Sequence, residues 1–277
     1  MPTDAGPRSA DRRLGTDAEL RGWLEVAHAA CDEADALARR HFRRDLHIQT
    51  KPDRTFVTEA DTAIEALVRE RVLAAFPGHG LVGAEYGVEA GEASVRWYID
   101  PIDGTHNFIR GVPLFGTLLA VERDGELQAA VISAPALGER WWAHRGGGAW
   151  ARTGTMASRP IVVSGVSALA DAQILYGSRR DLIQSGLAPG FDTLLDSAWR
   201  ERGFGDFWGY TLLAEGAAEA MVEVGLKSWD AAAPMLLVEE AGGRATDFEG
   251  RRAIDSGTFL ATNGSLHDDI LARLTMA

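Results

Sequence analysis

Val95-Arg96-Trp97-Tyr98-Ile99-Asp100-Pro101-Ile102-Asp103-Gly104-Thr105 reads as a strand that runs into a turn. The β-branched and aromatic residues up to Ile99 favour the strand. Pro101 and Gly104 are turn formers. Asp100 and Asp103 stand on that turn with the Ile102 carbonyl between them. All three offer hard oxygen donors of the kind Mg²⁺ takes. Just beyond, the N–H groups of Gly104 and Thr105 can receive a phosphate, the more so where a helix begins. Metal ligands beside an anion cradle point to metal-assisted phosphoryl chemistry.

Outward from this turn the two flanks differ. Upstream, Leu20, Leu24, Ala27, Cys31, Ala34 and Ala38 recur at helical spacing and predict a helix over 16–42. Residues 51–54 read as a loop. Thr58 is placed to cap a second helix that runs to about residue 76 and ends at Pro77-Gly78. A short strand and loop follow over 81–85. Downstream, 116–123 and 126–133 flank Asp124-Gly125, a hairpin signal. Residues 140–145 and 149–152 flank three glycines as a second hairpin, and 158–163 is a further strand. From about residue 168 the pattern alternates: strands at 174–177, 198–204, 220–224 and 258–262, and helices at 191–196, 207–218, 229–241 and 265–274. This predicts an α/β (α+β) chain in two unlike parts. Residues 16–165 form an α+β half bearing the acidic turn, and 166–277 an α/β half that completes the site.

Composition narrows the chemistry. The chain has 277 residues, 46% hydrophobic and 25% charged, ordinary for a globular protein. No apolar run reaches the length of a membrane span, so no membrane is expected as partner. Residues 1–15 carry Pro, Gly, Ser, Asp and Arg without an apolar stretch and read as a disordered tail, not a secretory leader. The single cysteine, Cys31, allows no internal disulfide and fits a reducing cytoplasm. A net charge of −12 argues against a nucleic-acid partner. An acidic protein that binds phosphate needs cations between the two, and bound Mg²⁺ would provide them.

Other carboxylates recur near turns and helix starts. Asp61 and Asp230 each open a helix, where a carboxylate is either a plain cap or a ligand. Glu85, in Val82-Gly83-Ala84-Glu85-Tyr86-Gly87, is either a solvated loop charge or a ligand.

These segments resemble the inositol monophosphatase family. Asp100 to Thr105 with Asn107-Phe108 matches its first signature. Ser228-Trp229-Asp230-Ala231-Ala232-Ala233 through Glu240-Ala241-Gly242-Gly243 matches its second, and 51–61 and 83–87, upstream of both, match as well. The resemblance implies a layered α-β-α-β-α fold, two or three Mg²⁺ ions and a homodimer. It implies Glu85, Asp100, Asp103, Asp230 and the Ile102 carbonyl as metal ligands. Asp61, Thr105 and Glu85 would be catalytic, with Thr105 and Asp61 handling the attacking water. Asp103, Gly104, Thr105 and Asp230 would meet the phosphate. Ala84 stands where a second glutamate is common, and Thr55 where some members carry an aspartate near a third metal.

The substrate is read from the surroundings of the phosphate. Gly205-Asp206-Phe207-Trp208-Gly209-Tyr210 places an acid and aromatics where inositol-type members keep small residues. An acid can pair with an ammonium, and an aromatic can stack on a cation or a flat ring. Histidinol phosphate carries an amine and an imidazole. Gly-Asp-Phe, Trp141-Trp142 and Arg110-Gly111-Val112-Pro113 are similar to the actinobacterial-type histidinol-phosphate phosphatases within the family. Glu223 would point into the same site, and Arg202 stands where the family places a basic residue near the substrate. Asp206 reads alternatively as a helix cap, Phe207, Trp208 and Tyr210 as core, and at least one of Trp141 and Trp142 as core. His106 reads as an exposed loop residue. The expected activity is phosphoric monoester hydrolysis, with histidinol phosphate foremost. Inositol-1-phosphate or sugar phosphates come second, and a weakly active binding or regulatory protein is the alternative of another class.

Overall fold

The computed structural model describes residues 14–52 and 55–276. Most of the tail expected over 1–15, and Asp53 and Arg54 of the expected loop, lie outside the described residues.

Two long helices open the chain, α1 (Asp17–His41) and α2 (Glu59–Ala75). Each begins with a capping box, Thr16 with Glu19 and Thr58 with Asp61, in which side chains satisfy backbone donors that a helix start leaves open. Between them β1 (Ile48–Thr50) and β2 (Phe56–Thr58) pair as a small antiparallel hairpin.

Eight strands then form one sheet: β3 (Gly80–Gly83), β4 (Gly87–Glu89), β5 (Val95–Asp103), β6 (Gly116–Arg123), β7 (Glu126–Ala134), β8 (Glu139–His144), β9 (Ala149–Thr153) and β10 (Arg159–Ile161). Its order is β10-β9-β8-β7-β6-β5-β3-β4, antiparallel except where β3 meets β5. Side chains alternate between its faces as the pleat requires. Trp97, Ile99, Leu119 and Val121 pack against α1 and α2, whereas Tyr98, Leu118 and Ala120 face the opposite layer. The short helix α3 (Thr105–Ile109) leads from β5 to β6.

The second part builds a five-stranded mixed sheet from β11 (Gln173–Tyr176), β12 (Arg200–Arg202), β13 (Ala220–Val224), β14 (Arg244–Thr246) and β15 (Thr258–Thr262), ordered β12-β11-β13-β15-β14. Helices α6 (Asp206–Ala214) and α7 (Ser228–Glu240) lie between the two sheets. Helices α4 (Arg179–Ser185), α5 (Phe191–Ser197) and α8 (His267–Thr275) cover the outer face. The layers therefore run α-β-α-β-α, as expected. One core cluster draws Tyr98, Trp141, Phe207, Met235 and Phe259 from both parts of the chain.

Several expectations need correcting. The hairpin β1–β2, strands β4 and β14, and helix α4 were not foreseen. Strand 198–204 contracts to Arg200–Arg202. Helix 207–218 ends at Ala214, because Gly216 adopts φ +76° and turns the chain out.

Candidate active site

The end of β5 carries the acidic turn. The β5–β6 register shifts between Asp100 and Asp103, so the strand is irregular where its carboxylates sit. Gly104 follows at φ +80°, and a Cβ there would lie 2.8 Å from the Leu114 carbonyl oxygen. Only glycine turns so tightly at so close an approach. Thr105 then starts α3; its Oγ1 donates to the Ile102 carbonyl at 2.9 Å and reaches Asp61 Oδ1 at 3.4 Å.

Asp61 is the helix cap that the sequence allowed, and it also faces the acidic turn. Its Oδ2 accepts from the Thr58 N–H at 2.8 Å and the Thr58 hydroxyl at 2.6 Å, capping α2, while Oδ1 faces Thr105. Burial raises its pKa and the Thr58 contacts oppose that. Asp230 is likewise a cap, accepting from the Lys227 N–H at 2.8 Å, and lies against Asp100.

Asp100 and Asp103 have pKa values pushed well up, first by burial and then by neighbouring carboxylates. For Asp100 these are Asp103, Asp230 and Asp61. For Asp103 they are Asp206, Asp230 and Glu223. Asp100 and Asp230 lie against one another, and their like charges repel when both are ionised.

Glu85 sits one step further along the sheet. The Ala84 N–H donates to the Ile99 carbonyl at 3.2 Å, continuing the β3–β5 pairing, so that Ala84 comes level with Asp100 and Glu85 follows directly. Lys51 holds it: Nζ lies 2.8 Å from both carboxylate oxygens and 3.2 Å from the Ala84 carbonyl. Beneath, fully buried Glu65 accepts the N–H groups of Glu85 at 2.6 Å and Tyr86 at 3.1 Å, and pairs with Arg69 at 2.8 Å.

A cavity of about 280 Å³ opens beside the turn, lined by Asp103, His106, Asp206, Tyr210, Glu223 and Asp230, with Val224, Gly225 and Leu226. Asp206 is the first residue of α6, not its cap, and holds φ +56°. That conformation costs a non-glycine residue about 1–2 kcal/mol. Glu223 is pushed up to about 8, by burial and then by Asp206, against hydrogen bonds from the Tyr210 hydroxyl (2.7 Å) and the Asp206 N–H. The Phe207 N–H donates to Asp103 Oδ2 at 2.6 Å.

The other candidates divide. Phe207 is fully buried core near Trp141, and Tyr210 reaches the cavity through its hydroxyl. Trp141 is core, and Trp142 lies edge-on to His28 on the α1 side. Arg202 is not brought to the cavity; it is exposed on β12, with Nη1 donating to the Glu201 carbonyl. Exposed though it is, His106 lines the cavity wall, edge-on to Phe56 of the β1–β2 hairpin. Lys51, Glu65 and His106 were missed as site residues. The one legible sign was Glu65 with Arg69 at helical spacing, on a face otherwise apolar.

As the side chains stand, among the described residues no three His, Cys, Asp or Glu are drawn together closely enough to hold an ion. The donor set nonetheless suits Mg²⁺ in kind. It is all oxygen, and its members raise one another's pKa, which a cation among them would reverse.

Fold and acidic turn together define a class that sequence comparison identifies: residues 19–276 match the inositol monophosphatase family, and the chain belongs to it. Among its relatives, a histidinol-phosphatase of Mycobacterium tuberculosis is 44% identical over 252 residues, 91% of this chain and 97% of that one. A histidinol-phosphatase of Streptomyces coelicolor is 43% identical, covering 91% and 96%. The extragenic suppressor protein suhB of Bartonella henselae superposes with a TM-score of 0.84 at 28% identity, covering 92% of this chain and 98% of that one. No helix among the described residues is long and apolar enough to cross a membrane.

Proposed function

We propose that this chain is a Mg²⁺-dependent phosphatase that hydrolyses L-histidinol phosphate to L-histidinol and phosphate. The observation that carries the substrate is the pair Asp206 and Glu223, two half-buried carboxylates on the cavity that also meets Asp103 and Asp230. Like charges crowded on one cavity wall call for a cation. A substrate bearing an ammonium close to its phosphate supplies one, and the relatives named histidinol-phosphatase agree with it.

Glu85, Asp100, Asp103, Asp230 and the Ile102 carbonyl would hold the ions, two or three in number. When bound, Mg²⁺ neutralises phosphoryl oxygens and acidifies the attacking water. The chain's own groups do the rest. Asp61 Oδ1 and Thr105 Oγ1 orient that water, and Asp61 takes its proton. The Gly104 and Thr105 amides receive the phosphate at the start of α3. Asp206 and Glu223 grip the ammonium, and Tyr210 keeps Glu223 in place. Positioning of this kind suits phosphoryl transfer, which gives a protein little covalent chemistry to perform. The same reading carries a cytoplasmic homodimer, following the family resemblance and the single thiol.

Inositol-1-phosphate is the second reading, favoured by Glu223 and the Tyr210 hydroxyl, which suit a polyol equally. Phosphate release with Mg²⁺ decides between them, measured on L-histidinol phosphate, inositol-1-phosphate and fructose 1,6-bisphosphate. Histidinol phosphate should lead. A wide lead for inositol phosphate overturns the substrate, and no turnover of any ester overturns the enzyme.

A further inference from the structure

Asp206 presents a charged side chain from an uphill backbone conformation. Among the described residues, the other positive-φ non-glycines are Arg43, just after α1, and Asp124, in the β6–β7 turn. Such a conformation persists where its surroundings over-determine it. Two hydrogen bonds do so here. The Phe207 N–H meets Asp103 at 2.6 Å, and Asn107 Nδ2 donates to Asp206 Oδ2 at 3.2 Å. Of these, the Asn107 bond is the one that reaches the Asp206 carboxylate. Asn107 is itself anchored, with the same amide donating to the Leu114 carbonyl at 2.9 Å.

We propose that Asn107 is the positioning residue for substrate selection, fixing the Asp206 carboxylate on the cavity wall for the substrate's ammonium. This rests on the amine reading of Asp206 given above. The chemistry of the clamp supports it. Burial and the charge of Asp230 act against the ionised Asp206 carboxylate while the nearby His106 favours it, and the Asn107 bond fixes where its oxygen lies. An amide donor restrains it without cancelling its charge. A lysine or arginine in that place would hold the carboxylate and also use up the charge the substrate needs.

The test compares L-histidinol phosphate with its des-amino analogue, 3-(imidazol-4-yl)propyl phosphate, which keeps the ring and the ester. In Asn107→Ala the ratio of kcat/KM between the two should fall about tenfold, the scale of one lost charge-assisted hydrogen bond. The fall should be carried by KM for the amine substrate. Asn107→Ser, whose hydroxyl can serve one acceptor but not both, should give a smaller fall and covers the case that the alanine variant folds poorly. Asp206→Gly is measured alongside, since glycine takes φ +56° without strain. It should lower the ratio at least as far, and adding Asn107→Ala to it should lower it no further. If Asp206→Gly leaves the ratio intact, the amine reading itself falls. If Asp206→Gly collapses the ratio and neither Asn107 variant moves it, the positioning role is overturned. Equal losses on both substrates in the Asn107 variants would make Asn107 merely structural and overturn it as well.

Discussion

Gly83→Ala tests how the loop bearing Glu85 is supported. A Cβ on Gly83 would stand 2.0 Å from Glu65 Oε1 and 2.4 Å from Glu65 Cδ, far inside contact distance. Glu65 is fully buried, so it cannot move into water without breaking its bonds to Arg69 and to the N–H groups of Glu85 and Tyr86. Disrupting a buried ion pair costs about 3–5 kcal/mol. Two amide bonds to a carboxylate are worth about 1.5–3 kcal/mol each, part of which the loop regains from water. A net loss of about 3–5 kcal/mol is therefore expected. Urea unfolding at neutral pH measures it, with Gly78→Ala as control, because nothing lies within 4 Å of a Cβ there. Displacement of Glu85 should also lower kcat/KM by about a hundredfold or more, as misplacement near a reacting centre does. Glu65→Ala combined with Gly83→Ala should show strong non-additivity, because truncating Glu65 clears the space that the Gly83 Cβ invades. Gly83→Ala with control-like stability and turnover would refute both the packing and the support assigned to Glu65.

Asp103→Asn should leave the fold intact, with stability unchanged or raised because one buried like charge is gone. It should abolish nearly all turnover; near-normal rates would remove this site from consideration. Added Mg²⁺ should raise Tm in a concentration-dependent way, by about 2.7 kcal/mol of stability at a hundred times Kd, and EDTA should reverse both this and activity; a melting curve blind to the ion would contradict the donor set. His267, fully buried between the Thr246 and Thr262 hydroxyls at 3.0 Å, has its pKa pushed down to about 4 by burial and then by Arg244. The unfolded chain thus takes up this proton first, so stability is full above about pH 6.5 and declines toward pH 4, by on the order of 2 kcal/mol. Urea titrations at pH 7 and 4.5 on wild type and His267→Gln should differ in slope with pH; identical slopes would contradict the assignment.

Legibility in the sequence followed the strength of local patterns. The central strands of the large sheet, β6 and β7, are buried on both faces, so their apolar runs stand out. Asp124-Gly125 takes φ +52° and +83°, the mirror-image turn its residues favour. The acidic turn was readable because strand, proline, glycine and paired carboxylates occur together within a few residues. Strands of three residues, such as β1, β2, β4 and β14, carry too little periodicity to register, and β1 is fully exposed. Tertiary partners were harder still. That Lys51 faces Glu85, that Glu65 props the same loop, and that Asn107 meets Asp206 across 99 residues of chain are facts of packing. Arg202 was misplaced because an edge strand can present a long side chain to solvent as easily as to a site.

The backbone at Asp206 also bears on how the protein would change under pressure for heat resistance. Glycine there would relieve strain at once, so a screen that rewards only survival at high temperature should find it early. Such lineages would keep the metal-binding acids and lose discrimination between esters. A generalist would thus emerge from a specialist by a single step that looks, to a melting curve, like improvement.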